Sequence, residues 1–378
     1  MNLAKRIGHL KESETLQLNA EAQRLRSLGR KVINLTAGEL DFKTPVAVQR
    51  VVSRHLAENK YTPVAGLDRL RGLIAAYVRK EYALSGLTAD GVAVTAGAKQ
   101  GLAEIFQVLL NPGDEVIIPV PAWASYEQQV VLAGGKAKFV KLRTNFDLDP
   151  KAIAAVITPK TKAVVINSPH NPTGRIFSHS SLAELAGLLG KKDIRVIADE
   201  IYRPLSYVSS SPITKYFKKN LIIISGFSKS HALTGWRVGY VVADRQIISA
   251  LEKLQSHTSG NVSLPSQYAA LAALADPAAT KKIFGSLGRR RLFVAKELAK
   301  IPKLVFTIPD GAFYFFIDIS KVASDSTEFC RRLLRQELVA LVPGEAFRAP
   351  GFVRLSFAAP SAQLRAGIER FKKFIAKL

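Results

Sequence analysis

The chain has 378 residues, 48% of them hydrophobic, and that length exceeds what one hydrophobic core usually supports, so two or perhaps three lobes are expected. Its single cysteine, Cys330, excludes an internal disulfide framework and a cysteine-based metal cluster, and no metal centre is expected. The 54 Lys and Arg against 30 Asp and Glu give a formal charge of +24, but the cations are scattered, groups such as Arg289-Arg290-Arg291 are short, and no nucleic-acid-binding motif accompanies them, which argues against a nucleic-acid partner.

A positive field of this kind suits the steering of small anionic substrates. The opening segment, MNLAKRIGHLKESETLQL, lacks a signal-peptide apolar block, and no apolar run reaches the ~20 residues that span a bilayer, so a cytoplasmic protein without a membrane partner is expected. Residues 1–40 hold an early helix-like stretch and then VINLTAG. VAVT (92–95) reads as a short strand, AGAKQ as a turn and GLAEIFQVLL as an amphipathic helix; EVIIP, KAVVIN, IRVIAD and LIIIS follow as buried strands. Among them SLAELAGLL is helical, with a Ser181-x-x-Glu184 capping box. Residues 280–378 combine long helical stretches with the strand candidates FYFFID and FVRLSF.

Short Val/Ile-rich runs alternating with helices indicate an α/β fold: a large domain with a mostly parallel sheet covered by helices on both faces. Both ends of the chain have a different character from the middle, so a smaller α+β domain built from both termini is expected. The expected boundaries are 1–45 and 280–378 for the small domain and 46–279 for the large one.

Chemistry in open α/β sheets sits at the carboxyl ends of strands. Lys229, just past LIIIS among small and hydroxyl residues, can have a lowered pKa and form a Schiff base with a carbonyl; seen alone, it can equally be a solvated loop lysine. Asp199 closes IRVIAD, where an ionised carboxylate needs a cationic or hydrogen-bonding partner, or serves as a helix N-cap. Asn171 and Tyr202 can both donate to an anionic oxygen; otherwise they are a turn residue and a half-buried aromatic. Gly97-Ala98-Lys99 stands between a strand and a helix, where backbone N–H groups favour a phosphate. Arg237 offers a guanidinium fork or a surface ion pair. Arg354 lies inside the apolar GFVRLSF, where a bidentate carboxylate partner is expected, either a ligand or an internal acid.

Taken together, NSPHNPTG around Asn171, DEIY with Asp199 and Tyr202, and SGFSKSHALTGWR from Lys229 to Arg237 resemble the class I/II aminotransferases of the fold-type I pyridoxal-phosphate enzymes. The resemblance continues through GELDFKTP (38–45), YTPVAGLDRLR (61–71), TAGAKQ (95–100), NPGDEVIIPVPAWASY (111–126), GAFYFF (311–316), VPGEAF (342–347) and GFVRLSFA (351–358), and is nearest to the aspartate-aminotransferase-like branch. It implies pyridoxal 5′-phosphate attached to Lys229 in the large domain, with transamination between an amino acid, such as aspartate or glutamate, and a 2-oxo acid such as 2-oxoglutarate. In that reading Asp199 holds the proton on the cofactor's pyridine nitrogen, Trp123 stacks on the ring, and Asn171 and Tyr202 meet its phenolic oxygen. Gly97, Ala98, Lys99, Ser228 and Arg237 surround the phosphate, joined by Tyr61 from the neighbouring subunit of a homodimer. Arg354, Asn171 and Gly38 form the substrate carboxylate pocket, and Lys11 and Thr15 are candidate contacts for the distal group. One departure is Gly226, where the family often has a hydroxyl residue three positions before the lysine; Ser225 and Ser228 are the alternatives. Two other functions remain: a C–S β-lyase on the same scaffold, and a non-catalytic ligand-sensing module, which would need an N-terminal DNA-binding domain for which fewer than 50 residues precede the firm match.

Overall fold

The structure is a computed structural model that describes residues 4–8, 10, 14–190 and 192–378. Its strands in chain order are β1 (Ile33–Asn34), β2 (Val92–Thr95), β3 (Glu115–Val120), β4 (Lys136–Lys141), β5 (Thr161–Asn167), β6 (Arg195–Asp199), β7 (Leu221–Gly226), β8 (Gly239–Val242), β9 (Val305–Phe306), β10 (Tyr314–Asp318), β11 (Val339–Ala340), β12 (Val342–Pro343) and β13 (Phe352–Ser356). Seven of them form one sheet in the order β2-β8-β7-β6-β5-β3-β4. Only β8 runs against its neighbours, so the sheet is mostly parallel, as the Val/Ile-rich runs imply. Both faces are covered: Val94, Val164 and Ile223 point into one apolar cluster, and Ala93, Val165 and Ile224 into another.

Register aligns the chemistry. Asn167 pairs with Asp199, and Asp199 with Ile224, so the last residues of β5, β6 and β7 end on one edge. Antiparallel β8 starts where β7 and β2 end, with Gly239 opposite both Gly226 and Thr95. The segment between β7 and β8, which carries Lys229 and Arg237, therefore stays on that same edge.

This packing explains the departure at position 226. A Cβ on Gly226 would lie 2.8 Å from the Cα of Gly239 and 3.1 Å from the carbonyl of Val238, so the crossing leaves no room for a hydroxyl side chain. The capping box is corrected by the structure. The helix His179–Leu189 is capped by Ser178, whose Oγ accepts from the Ser181 N–H, while Ser181 is buried inside the helix and donates to Asp147 Oδ2 at 2.8 Å. Ser181 followed by Glu184 has the spacing of a cap, but tertiary contact with Asp147 uses its hydroxyl instead.

β1 pairs in parallel with β11, and β12-β13-β10-β9 form a second, antiparallel sheet. An apolar cluster gathers Ile33 and Leu35 with Leu287, Phe315, Leu355 and Phe371. Arg290 clasps Asp41 through both guanidinium nitrogens, at 2.7 and 2.9 Å, and also donates to the Ala358 carbonyl at 2.8 Å. The aspartate of GELDF thus ties the N-terminal segment to the C-terminal one. Cys330 is fully buried, and burial pushes its thiol well above the usual range, which leaves it inert. Among the described residues, no helix is long and apolar enough to cross a membrane.

Candidate active site

A cavity of about 630 Å³ opens at the carboxyl edge of the sheet, between β5, β6 and β7 and the segments carrying Gly38 and Arg354. It is lined by Gly38, Ala98, Lys99, Trp123, Asn171, Asp199, Tyr202, Ser228, Lys229, Arg237 and Arg354, all singled out from sequence. Among the described residues, no cluster of three or more His, Cys, Asp or Glu side chains is arranged to hold a metal ion.

Asp199 is buried at the end of β6. Its Oδ2 accepts from the Tyr126 hydroxyl at 2.6 Å and its Oδ1 from the Ile201 N–H at 3.3 Å. Desolvation dominates over these bonds and over the nearby Lys229 charge, raising its pKa to about 6. Asp199 is thus an anion in want of a cation, as an acid in an apolar strand implies.

Lys229 is half-buried, with its amine reaching the Gly38 carbonyl. Desolvation, then the positive charge of Arg237, lowers its pKa to about 8, against the opposing pull of Glu39 and Asp199. Roughly a tenth is therefore a free amine at pH 7, far more than a solvated loop lysine provides.

Arg237 occupies the left-handed region at φ 50 and donates to the Thr234 and Ala96 carbonyls at 3.1 and 3.3 Å. Its guanidinium sits over Gly97, where a Cβ would meet Nη2 at 2.7 Å and φ is +79. Glycine is thus required there twice over, by conformation and by close approach. Gly97 also precedes the helix Ala98–Leu109, so Arg237, the helix N-terminus and Ser228 converge on one corner. Ser225 does not join them: its Oγ donates to the Glu200 carbonyl at 3.3 Å within the sheet. Of the two candidate hydroxyls, Ser228 is the one facing the cavity.

Arg354 is 3% exposed. Nη1 donates to Asn171 Oδ1 at 2.9 Å and Nη2 to the Thr36 carbonyl at 2.8 Å, while Nε has no partner. Tyr314 and Phe347 stack on the guanidinium at 4.3 and 4.9 Å. None of these partners is an acid. Burial pulls the Arg354 pKa down, opposed by Tyr314 and Tyr202. Asn171, with Oδ1 committed to Arg354, has its amide nitrogen left to donate, and the Tyr202 hydroxyl lies 2.9 Å from that of Tyr314.

Other expected residues lie elsewhere. Tyr61 is 96% exposed and away from the cavity of its own chain. Lys11 is outside the described residues, and Thr15 falls in the helix Glu14–Ser27, with its side chain outside the description. Four contributors escaped the sequence reading: Thr36, Tyr126, Asn167 and Tyr314. Tyr126, three residues after Trp123 in PAWASY, and Tyr314, in GAFYFF, sit in motifs already recognised as part of the resemblance, and that proximity was the available signal.

Residues 30–371 match the family model of aminotransferase class I and II. The chain is 41% identical to the aspartate aminotransferase of Thermotoga maritima, covering 99% of each, and 40% identical to that of Bacillus subtilis, covering 100% of each. It is 38% identical to the aspartate/prephenate aminotransferase of Thermus thermophilus, covering 99% of each. The crystal structure of the Thermotoga maritima aspartate aminotransferase superposes with a TM-score of 0.94, covering 99% of this chain and 100% of that one.

Proposed function

Because this chain belongs to the aminotransferase class I and II family and is an aminotransferase, we propose that it uses pyridoxal 5′-phosphate, bound at Lys229, to move amino groups from aspartate, glutamate or a related donor to a 2-oxo acid such as 2-oxoglutarate. The observation that carries this reading is a buried guanidinium, Arg354, without an acidic partner, in one cavity with a depressed lysine amine and a desolvated carboxylate.

The residues present fit the cofactor by their own chemistry. Arg237, Ser228 and the N–H groups opening the helix at Ala98 suit a phosphate, Asp199 a protonated pyridine nitrogen, and Trp123 an aromatic face. When bound, pyridoxal phosphate supplies an electron sink for charge developing at the substrate Cα and carries the amino group between half-reactions. Arg354 grips the α-carboxylate, with Asn171 bracing the guanidinium. Lys229, as a free amine, takes the proton from Cα and returns it to Cα in the reverse direction. Asp199 keeps its negative charge opposite the ring nitrogen, and Asn171 and Tyr202 donate to the phenolic oxygen. Held between Arg354 and Trp123, the substrate presents one Cα–H bond to the lysine.

The named relatives favour aspartate, and Lys99 supports an acidic distal group. Its ammonium lies 4.9 Å from the Trp123 ring at the cavity, its pKa lowered by burial and then by Arg237. Lys11 and Thr15 remain candidates for the same role. A panel of amino donors with 2-oxoglutarate tests the function. Aspartate should give the highest kcat/KM with 2-oxoglutarate, and glutamate should be a good donor with oxaloacetate as acceptor, whereas pyruvate and ammonia release from cystathionine without transamination of any donor would make the chain a β-lyase. Lys99→Ala and Lys11→Ala should each cost about tenfold in kcat/KM with aspartate, and less with alanine. A uniform loss across donors would return Lys11 to general surface charge and Lys99 to the phosphate corner of the cavity alone.

The proposed organisation is two-lobed, with 46–279 holding the cofactor and 1–45 folded with 280–378. The β1–β11 pairing and the Asp41–Arg290 contact support it. The proposed assembly is a homodimer in the cytoplasm, in which exposed Tyr61 reaches the phosphate of its partner. Mixing Lys229→Ala and Tyr61→Ala proteins under subunit exchange tests this, since each heterodimer would contain one site with both native residues. Activity should then exceed the sum of the parents; none appearing despite verified exchange would leave Tyr61 a residue of its own chain.

A further inference from the structure

Tyr126 touches two residues of the site without itself being needed for any step described above. Its hydroxyl donates to Asp199 Oδ2 at 2.6 Å, and its ring meets that of Trp123 edge to face at 5.4 Å and 89°. It is 2% exposed and sits at the start of the helix Ser125–Leu132, where its N–H bonds the Trp123 carbonyl at 3.1 Å. Helix, Trp123 and Asp199 are therefore fixed relative to one another by one side chain.

We infer that Tyr126 is a positioning residue for cofactor binding: its hydroxyl orients the Asp199 carboxylate and keeps it ionised opposite the pyridine nitrogen, while its ring sets the angle of Trp123. The inference rests on the reading of Asp199 given under Proposed function and adds the residue that makes that role workable at neutral pH.

The balance at Asp199 is close, which is why one hydrogen bond matters. Burial favours the neutral acid, and the opposing contributions in order of size are the Tyr126 hydroxyl, the Ile201 N–H and the Lys229 charge. Tyr202 also faces this carboxylate, and neighbouring Glu200, itself raised to about 7 by burial, has Arg203 at 3.7 Å. Of these groups, Tyr126 alone donates a side-chain hydrogen bond to it. Burial and then the Asp199 charge push the Tyr126 hydroxyl far above its usual range, so it remains a donor at every working pH. The backbone is braced as well: Asn167 Nδ2 donates to the Asp199 carbonyl at 2.8 Å, and Asn167 Oδ1 accepts from the Asn171 N–H at 2.9 Å. With the main chain held by Asn167, the rotation left to the carboxylate is the one that Tyr126 stops.

The test is the dissociation constant of the apoprotein for pyridoxal phosphate, read by quenching of tryptophan fluorescence on either side of pH 6, in Tyr126→Phe, Asp199→Asn and the double variant. Thermal denaturation of each apoprotein checks the fold, and the phenyl ring keeps the packing on Trp123. Tyr126→Phe should weaken binding about 10- to 100-fold. An ionised Asp199 favours the cofactor, so affinity falls as pH drops through its pKa; losing the donor raises that pKa and should move the fall to higher pH. In the Asp199→Asn background, adding Tyr126→Phe should change affinity little. Wild-type affinity and an unmoved pH dependence in Tyr126→Phe would overturn the inference, as would losses that simply add in the double variant. Unchanged affinity in Asp199→Asn alone would overturn both this inference and the reading beneath it, so the two failures are told apart.

Discussion

Lys229→Ala is expected to abolish covalent retention of pyridoxal phosphate and to lower transamination by at least about 10²–10⁴-fold, the usual contribution of a positioned acid–base group. The wild-type protein should be yellow, and borohydride should fix the label to the peptide containing Lys229. The expectation follows from the environment of the amine rather than from its being a lysine, since the chain's 28 other lysines compete for the label. Burial, reinforced by Arg237, brings its pKa to about 8. Only the unprotonated amine attacks a carbonyl, and its fraction rises with pH until the pKa is passed. Attachment of cofactor to the apoprotein should therefore accelerate up to about pH 8 and then level off, whereas an ordinary lysine would keep gaining to roughly pH 10. A label on another lysine, a colourless wild type with added cofactor, or a rate still climbing well beyond pH 8 would defeat the assignment.

Arg354→Ala is expected to reduce kcat/KM for the amino donor by about 30- to 1,000-fold, roughly 2–4 kcal/mol, while leaving the affinity for cofactor close to wild type. Its two terminal nitrogens are held by neutral oxygens of Asn171 and Thr36, its Nε is unpartnered, and two aromatic rings clamp the plane. A buried cation so arranged is uncompensated until a carboxylate arrives, and the aromatic clamp fixes the fork for a planar, two-oxygen ligand. Arg354→Lys should recover only part of the loss, because an ammonium keeps the charge but not the fork. The measurement is steady-state kinetics with aspartate beside a cofactor titration. Unchanged kinetics, or a loss of cofactor affinity as large as the loss in kcat/KM, would remove the carboxylate role.

What was legible in the sequence was local. Strand identity followed from short runs such as AVVIN and RVIAD, because a strand buried on both faces must be apolar at every position, and a charged residue closing such a run marks the sheet edge where ligands bind. The segment from Lys229 to Arg237 and the turn at Gly97 could be read for the same reason: each function there is carried by a residue type that its immediate neighbours make conspicuous. Tertiary structure decided the rest, because the partners are far apart in the chain. Tyr126 meets Asp199 across 73 residues, Arg354 meets Asn171 across 183, and Lys229 meets Gly38 across 191. No periodicity encodes such pairings. Whether Arg354 was balanced by an internal acid, whether Ser225 or Ser228 faced the cavity, and whether Ser178 or Ser181 capped its helix each turned on which side of a packed element a polar atom emerged. That is settled by how the sheet, helices and termini close on one another, since burial makes each polar atom take the partner within reach rather than the one its sequence spacing suggests.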